Sequence, residues 1–380
     1  MGHMMGRQFR YTKLMRSRRF SLFALGLWVA GITLDGAAAS AQAPGRCNFR
    51  GALEDTYCDD DRNMVADLPA DPKTWRDPAT LIFAYTPVEN RINYALRLRP
   101  FLAHLEQCVG RRIIYFKQGG LFPDPTPGNT AQIDAMRTGR LHISGFTTGG
   151  TAFAVNLAGA VPFAIFGNAN GFQNYRVLMI VKPESSFRTL SDLKGRRVAH
   201  TTATSNSGNL VPRAFFPGLG LIPDKDYNVT YSGGHEWSIL GVRGGEFDAA
   251  PVASNIFGRM MARRQIRQED FRTIWQSAPF PSSAFAVSHD LNPELSRSIR
   301  QCFLEYRFPE NLRRELALED NDRFWPADYA THWAPVRAVA DAVNAPYNRA
   351  AFDQESRREF EAEQRRKQRA QIQNGSQPQR

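Results

Sequence analysis

The organisation of the chain is best followed from the stretch Thr201-Thr202-Ala203-Thr204-Ser205-Asn206-Ser207-Gly208, which joins a short strand at 197–200 to an apolar run at 209–216. We interpret it as a turn from a strand into a helix. The first N–H groups of a helix lack partners within it, and the helix dipole attracts negative charge there. The stretch contains no Lys or Arg, so it predicts an anion site made of uncharged donors. The alternative is an ordinary N-cap, for which Ser, Thr and Asn are preferred.

Strand and helix patterns alternate on both sides of this turn. A first unit has predicted strands at 80–85, 112–116 and 141–144 with helices between them. The pattern then restarts, with predicted strands at 175–181, 197–200, 227–231 and 247–252, and a strand at 285–288 returns to the first unit. Such alternation is typical of parallel strands joined by crossover helices. The sequence therefore predicts an α/β fold of two lobes, each a mostly parallel sheet flanked by helices, with two crossover segments near 170–176 and 276–286.

The predicted domain boundaries follow from these patterns and from composition. They are a signal peptide at 1–41, an irregular leader at 42–78, a first lobe at 79–173 plus 281–348, a second lobe at 174–280, and a charged, Gln-rich tail at 349–380. In open α/β sheets, ligands bind beyond the carboxyl ends of the strands. We therefore expect the two lobes to face each other across a ligand cleft and to close on it.

Composition and charge exclude several classes of protein. The chain has 380 residues, of which 42% are hydrophobic and 22% charged, values typical of a globular protein. Its formal net charge is +11, and residues 1–41 supply +5 of this, so removing them leaves +6. A further basic excess lies in the tail, so the middle of the chain is nearly balanced. We therefore expect no nucleic-acid partner.

The N-terminus has the pattern of an export signal. Basic residues end at Arg18-Arg19, an apolar run follows from Phe20 to Leu34, and Ala39-Ser40-Ala41 is the predicted cleavage site. The segment Ser17–Leu22, which contains Arg18-Arg19, is similar to a twin-arginine signal, although an ordinary secretory signal fits almost as well. Either signal predicts a soluble protein outside the cytoplasm.

Four cysteines fit an oxidising compartment. An even count suggests disulfides, with Cys47 pairing with Cys58 and Cys108 with Cys302, although three pairings are possible. For Cys108 and Cys302, buried free thiols are an equal alternative. The chain has no CxxC motif and no Cys/His cluster, so we expect no metal site, and we expect no cofactor.

Several motifs together resemble a known family. They are Ser205-Asn206-Ser207-Gly208 before Leu210-Val211-Pro212, Ser232-Gly233-Gly234-His235-Glu236, and Gly245-Glu246-Phe247-Asp248-Ala249-Ala250. With these motifs, residues from about 81 to about 310 resemble the periplasmic solute-binding proteins of phosphonate, phosphite and phosphate ABC transporters. The resemblance implies the type II periplasmic-binding fold and a site for a small phosphorus oxyanion.

The resemblance also implies which residues bind the ligand. Ser205, Asn206 and Ser207 match the turn that binds the phosphono oxygens, and Asn206 stands where the family commonly has Thr. His235 matches a histidine that reaches the same oxyanion, and Tyr175 matches a hydroxyl donor at the lobe crossing. In the first lobe the candidates lie at strand ends and helix starts: Tyr85, Thr130, Thr147 and Thr148.

Two departures from the family narrow the expected ligand. The family's aminoalkylphosphonate binders hold the ligand ammonium with two carboxylates, and the matching positions here are the neutral Asn255 and Ser283. A buried carboxylate is the obvious partner for an ammonium group. We therefore expect phosphite, phosphate or a small alkylphosphonate rather than 2-aminoethylphosphonate.

Together these observations predict a monomeric extracytoplasmic solute-binding protein that delivers its ligand to an ABC transporter permease in the membrane. One alternative is an exported, or formerly exported, enzyme on the same bilobal fold, because a fold does not determine chemistry. Against it, Cys108 and Cys302 lie in helical patterns, and no Ser/His/Asp arrangement is evident. Another alternative is the ligand-binding subunit of a membrane sensor.

Overall fold

The computed structural model describes residues 47–86, 94–116, 129–202, 204–318, 320–344 and 347–354, with residues 356, 357, 360, 361 and 364. The predicted signal peptide at 1–41 lies outside the described residues. The strands in chain order are β1 (Thr80–Tyr85), β2 (Arg112–Tyr115), β3 (Ile143–Phe146), β4 (Ala160–Asn168), β5 (Gly171–Phe172), β6 (Asn174–Tyr175), β7 (Val177–Val181), β8 (Arg197–His200), β9 (Asn228–Tyr231), β10 (Ala249–Ala253), β11 (Arg272–Gln276), β12 (Phe280–Pro281), β13 (Ala284–Ser288) and β14 (Arg323–Pro326).

The helices flank these strands. In chain order they are α1 (Tyr94–Arg97), α2 (Arg99–Val109), α3 (Asn129–Arg137), α4 (Thr148–Ala158), α5 (Val211–Phe215), α6 (His235–Gly244), α7 (Ser254–Ala262), α8 (Pro293–Glu305), α9 (Glu310–Leu316), α10 (Tyr329–His332) and α11 (Ala334–Ala342). A π-helical turn, Asn206–Leu210, precedes α5. Among the described residues, none of the helices is both long and apolar enough to cross a membrane.

The first lobe is built on the larger sheet, in the strand order β14-β4-β13-β3-β1-β2, with β5 paired to β4. β1 is parallel to both β2 and β3. β13 is antiparallel to β3 and to β4, and β14 is antiparallel to β4. The predicted strand–helix–strand unit is therefore confirmed at one end of the sheet. The other half is antiparallel because its strands β13 and β14 come from the returning chain rather than through crossover helices.

The second lobe has a five-stranded sheet in the order β11-β7-β10-β8-β9. β8 is parallel to β9 and β10, whereas β7 is antiparallel to β10 and β11. The two-lobed α/β fold class is thus confirmed, with mixed sheets rather than mostly parallel ones. The predicted boundaries between the lobes remain a proposal.

Two short strands carry the chain between the lobes. β6 and β12 pair antiparallel, with Phe280 opposite Tyr175 and Pro281 opposite Asn174. Tyr175 is buried within this pair and packs beside Phe280, with the ring centroids 6.1 Å apart. The crossing therefore consists of a small two-stranded ribbon, and Tyr175 lies in it.

Apolar packing joins the lobes near this crossing. One continuous buried cluster contains Leu210 and Val211, which follow the second-lobe turn, together with Ala152 and Phe153 of α4 and Val336 of α11. Separate clusters lie on the other face of the first-lobe sheet and within the second lobe. Burial of apolar surface at this boundary stabilises contact between the lobes.

Both predicted disulfides are present. Cys47 pairs with Cys58, and Cys108 on α2 pairs with Cys302 on α8 across 194 residues of sequence. No cysteine among the described residues is left as a free thiol. The second bridge ties together two helices that cover the same face of the first-lobe sheet, where Leu105 and Phe303 are fully buried.

The segments before and after the lobes pack on the first lobe. The leader between 47 and 78 contains one 3-10 turn, Pro72–Thr74. An ion pair of 2.6 Å between Arg76 and Asp290 holds the leader against the first lobe. The first residues of the tail pack against the first lobe, although the composition of the tail is charged and Gln-rich. Phe352 is 2% exposed and packs against Phe153, and Arg349 lies 3.1 Å from Glu54.

Candidate functional site

The turn after β8 has the predicted strand-to-helix geometry. Ser205 occupies the N-cap position, with extended backbone angles, and its Oγ accepts a hydrogen bond of 3.0 Å from the Gly208 backbone N–H. The helix opens as one π turn before continuing as α5, and such wide turns are frequent at functional sites. Ser205 therefore fulfils the capping alternative, while its hydroxyl hydrogen can still donate. Its ligand role stays a prediction.

Gly208 is required by the tight folding of this turn. A Cβ at Gly208 would collide with the side chain of Thr201. The turn is also closed by a bond of 3.2 Å from the Thr201 N–H to the Gly208 carbonyl. The glycine thus lets the helix start fold back on the end of β8, so the backbone donors of the turn are held in a fixed arrangement.

Ser207 and His235 meet although they are 28 residues apart. Ser207 Oγ lies 2.9 Å from His235 Nε2, and both residues are buried. His235 is the first residue of α6, and its Nδ1 accepts a hydrogen bond of 3.4 Å from the Ala253 N–H. An imidazole nitrogen that accepts carries no hydrogen, so Nε2 of the neutral ring donates to Ser207. The Ser207 hydroxyl hydrogen is then directed away from His235.

Asn206 and Tyr175 form the second contact, which links the turn to the lobe crossing. Asn206 Nδ2 donates to the Tyr175 hydroxyl over 2.8 Å, and both side chains are buried. Burial raises the pKa of Tyr175, and hydrogen bonds with Thr148, Asn206 and Ser207 partly oppose this. Tyr175 is therefore a neutral hydroxyl throughout the physiological pH range and adds no negative charge to the site.

A second helix start, from the first lobe, lies opposite the turn. α4 is capped by Thr147, whose Oγ1 accepts from the Gly150 N–H over 3.1 Å. Thr148 Oγ1 donates 2.9 Å to the Pro281 carbonyl in the crossing, and Trp333 Nε1 donates 2.9 Å to the Thr148 carbonyl. These hydrogen bonds hold the start of α4 against β12 in the crossing ribbon and against Trp333, which lies between α10 and α11.

Gly149 brings the two helix starts into direct contact. A Cβ on Gly149 would collide with the Thr204 carbonyl oxygen and would lie 3.3 Å from the Asn206 backbone nitrogen. The N-terminal turn of α4 therefore rests against the second-lobe turn with its backbone alone. Two helix N-termini, one from each lobe, converge at this point, and both favour negative charge.

Two of the predicted first-lobe residues are placed differently. The ring of Tyr85 packs in the apolar core of the sheet, stacked 5.6 Å from Phe285 and edge-on to Phe166. Thr130 is buried at the start of α3, and its Oγ1 lies 3.4 Å from Ser356 Oγ in the tail. Neither contact joins these side chains to the Ser207–His235 pair, so their ligand roles stay predictions.

The two neutral positions that replace carboxylates lie near the crossing. Asn255 is the second residue of α7, and Ser283 lies between β12 and β13; both are partly buried. Asn255 lines a polar cavity of about 380 Å³, in which Asp320 is the acidic residue among the described lining residues. Asp320 accepts a hydrogen bond of 2.8 Å from Asn168. This carboxylate was not identified from the sequence.

A buried polar network behind the turn was also missed. His200, at the end of β8, lies 2.8 Å from Asn209 Oδ1 and 2.8 Å from the Tyr227 hydroxyl. Arg213 Nε donates to the same Asn209 oxygen over 3.0 Å and pairs with Asp224 at 2.8 Å. Burial lowers the pKa of His200 to about 4, so the ring is neutral. The spacing of Asn209 and Arg213, one helical turn apart, was the available sequence signal.

Comparison with known proteins places the chain among transport proteins. Residues 83–332 match the family model described as "ABC transporter, phosphonate, periplasmic substrate-binding protein", a range that contains every predicted ligand residue. The "Phosphonates-binding periplasmic protein" of Escherichia coli is 24% identical over 280 residues, covering 72% of this chain and 77% of that protein. The "Phosphate-import protein PhnD" of Mycolicibacterium smegmatis is 23% identical over 241 residues, covering 60% of this chain and 72% of that protein.

A solved structure shares the fold. The structure of PhnD1 from Prochlorococcus marinus in complex with methylphosphonate has a TM-score of 0.60 at 17% identity, and the match covers 71% of this chain and 100% of that chain. At this level of identity the likeness establishes the fold. This chain therefore shares its overall fold with a protein of very different sequence.

Proposed function

The chain belongs to the family of periplasmic substrate-binding proteins of phosphonate ABC transporters, and on that premise we propose that it captures phosphite, phosphate or a small phosphonate where its two helix starts meet. It would then deliver this ligand to the permease of its transporter. One observation carries the proposal: side-chain donors of the second-lobe turn converge with the start of α4 at the lobe crossing.

Each part of this arrangement suits a phosphorus oxyanion. The Ser207 hydroxyl hydrogen points away from His235 Nε2, which already donates to Ser207 Oγ. The starts of α4 and of the π turn add backbone N–H groups and positive dipole ends. Hydrogen bonds from neutral groups to a charged partner are stronger than neutral pairs, so no cation is needed for affinity. Such a site can also release its ligand to a permease.

The polar contacts also argue against the alternative of an enzyme. A Ser/His pair acts in catalysis when the imidazole takes the hydroxyl proton, with a carboxylate orienting its other nitrogen. In this chain His235 Nδ1 accepts the Ala253 N–H, so Nε2 bears hydrogen and donates to Ser207. The ring therefore has the wrong tautomer for a general base. We expect ligand to be recovered unchanged after binding.

The remaining parts of the proposal concern the protein's surroundings. We propose that it is exported to the periplasm as a soluble monomer, and both disulfides suit that oxidising compartment. The relatives named above carry names for phosphonate binding and for phosphate import. This supports the ligand class and leaves the individual oxyanion to be measured.

Calorimetric titration of the purified protein tests the ligand class. We expect saturable binding of at least one among phosphite, phosphate and methylphosphonate, and weaker binding of 2-aminoethylphosphonate, whose ammonium would meet the neutral Asn255 and Ser283. Ser191→Ala, in an exposed turn of the second lobe, is the matched serine control and should bind like the wild type. The proposal fails if none of these compounds binds.

A further inference from the structure

Asn206 presents a buried acceptor in a site otherwise made of donors. The residue is 2% exposed, and its Nδ2 donates to Tyr175. Among the described residues, no hydrogen-bond partner reaches its Oδ1. Buried polar atoms are nearly always paired, so an exception at a binding site calls for an explanation.

The neighbouring hydroxyls fix which way the Asn206 amide points. Thr148 Oγ1 donates to the Pro281 carbonyl, so it can only accept from the Tyr175 hydroxyl that it also contacts. Tyr175 therefore gives its hydrogen to Thr148 and uses its oxygen to accept from Asn206 and from the Ser207 hydroxyl. The amide nitrogen of Asn206 must then face Tyr175 and its oxygen must face away. The opposite orientation would leave two acceptors, Asn206 Oδ1 and Thr148 Oγ1, competing for the one hydroxyl hydrogen of Tyr175.

We propose that Asn206 Oδ1 accepts a hydrogen bond from a P–OH group, so that the site selects a form of its ligand that keeps such a group; for phosphite and alkylphosphonates this form is the monoanion. This inference rests on the proposed function. The dianion of phosphite or of an alkylphosphonate has no P–OH hydrogen to offer and would place a negative oxygen against the amide carbonyl, whereas the phosphate dianion keeps one P–OH group. A threonine hydroxyl at this position could donate or accept and so would tolerate both forms. Asn206 thereby narrows the ligand to hydrogen phosphite, a hydrogen alkylphosphonate, or phosphate in a form that keeps a P–OH group.

Few titratable groups face Asn206 from the elements around it. On β6 the group is Tyr175, and on α6 it is His235, which acts through Ser207. α4 contributes Thr148 and Gly149, and β10 is the uncharged sequence Ala-Ala-Pro-Val-Ala.

The other ionisable groups nearby are engaged elsewhere. On α11, Arg337 bonds the carbonyls of Tyr329 and Ala330, and Asp341 is exposed. His200 and Arg213 lie behind the turn and bond Asn209. Protonation of His235 is thus the protein event that could mimic a requirement for a ligand proton.

Two ligands that lose their second proton at different pH values distinguish a requirement for a proton on the ligand from a requirement for a proton on His235. Calorimetric affinity for methylphosphonate and for its trifluoromethyl analogue, whose second proton leaves at lower pH, is measured from pH 5 to 9. We expect each affinity, per total ligand, to fall about tenfold per pH unit above that ligand's own second pKa. A common midpoint for both ligands would assign the proton to the protein, and an affinity that is flat or rises would show dianion binding. Either result overturns the proposal.

Methanesulfonate provides a second test at one pH. It has the shape and charge of the methylphosphonate monoanion but lacks the hydroxyl. We expect wild-type protein to bind it at least about 100-fold more weakly at pH 6, because a site that pairs a ligand hydroxyl rejects the analogue without it. Equal affinity for the two anions would refute the assigned role of Asn206.

Two variants at the same position complete the design. Asn206→Thr should flatten the dependence on ligand ionisation and bring the affinities for sulfonate and phosphonate together. Asn206→Asp keeps an acceptor but loses the donor to Tyr175 and adds a negative charge, so the affinity should fall while the preference for the methylphosphonate monoanion over its dianion is kept; equal binding of the two forms by this variant would contradict the assigned role. Failure of every oxyanion to bind wild-type protein would overturn the proposed function itself, whereas binding of phosphite or alkylphosphonate dianions would overturn only this inference. If a variant does not fold, the wild-type ligand series still decides.

Discussion

The two helix N-termini that meet at the site are capped in the same way, but their side chains contact different groups. Thr147 caps α4 and Ser205 caps the π turn, each through its side-chain oxygen and an N–H three residues later. In the first lobe the hydroxyl of Thr148 is bound to the crossing strand, and Gly149 offers only backbone. In the second lobe Asn206 and Ser207 reach other side chains. Under the proposed function, the first lobe supplies a fixed backbone surface and the second supplies the side chains that contact the ligand.

The largest expected effect concerns stability, and it should be confined to the first lobe. Replacing the long-range bridge in the double variant Cys108→Ala/Cys302→Ala should lower the free energy of unfolding by about 4 kcal/mol, because the bridge closes a loop of 194 residues. Chemical denaturation measures this loss. The matched variant Cys47→Ala/Cys58→Ala opens a separation of only 11 residues and should lose less. Equal losses would contradict this explanation.

The next effect tests whether the first lobe acts through close approach. Gly149→Val should weaken ligand binding by about 3 kcal/mol, or about 100-fold, because a side chain there would collide with the Thr204 carbonyl and hold the lobes apart. Calorimetry gives the affinity and circular dichroism checks the fold. Gly218→Val is the control, since a Cβ there meets nothing within 4 Å. Wild-type affinity in Gly149→Val would mean that the lobes do not close at this point.

Removing one side-chain donor of the second lobe should reduce the binding free energy by somewhat less than the Gly149→Val substitution does. Ser207→Ala removes a hydroxyl donor and leaves His235 Nε2 without that acceptor, so we expect a loss of about 2 kcal/mol in binding free energy. Thr147→Ala in the first lobe loses a cap and should change stability more than affinity. If Thr147→Ala weakened binding more than Ser207→Ala, the division of roles between the lobes would be wrong.

The smallest effect, when it is expressed per pH unit, concerns the acid stability of the second lobe. His200 has its pKa lowered from 6.5 to about 4 by burial, so it binds a proton more readily when unfolded. Its contribution is complete above pH 6.5 and is lost as pH falls toward 4, at about 1.4 kcal/mol per pH unit. His200→Gln should reduce this slope when second-lobe amide exchange is followed over that window. An unchanged slope would place the acid sensitivity elsewhere.

A first-lobe histidine provides the comparison for that measurement. Burial also lowers the pKa of His142 to about 4, and its Nδ1 accepts from the Ile82 N–H over 2.9 Å in the first-lobe sheet. His142→Gln should therefore flatten the acid response of first-lobe amides and leave that of the second lobe unchanged. Identical responses of both lobes to both variants would indicate that the protein unfolds as one unit.

Much of this architecture could be predicted because it depends on local pattern. The apolar run of β1, the helix start after His200 and the even cysteine count all express constraints that act over a few residues or on composition. The direction of β13 and β14 could not be predicted, since an apolar strand pairs equally well in either direction until its neighbours are in place. The packing of Phe352 was not predicted either, because a single aromatic residue in a charged segment gives no periodic pattern, and its burial depends on contacts with distant residues.

By itself, the sequence determined that a helix would begin at Ser205 with uncharged donors and without a cation, because capping preference and residue type are local properties. Only the tertiary structure decided which groups join that helix start. Tyr175 and His235 lie about thirty residues away on either side of the turn, and Gly149 belongs to the other lobe. These contacts exist because the apolar cores of two sheets pack around one crossing, and that packing sums over the whole chain rather than over any one motif.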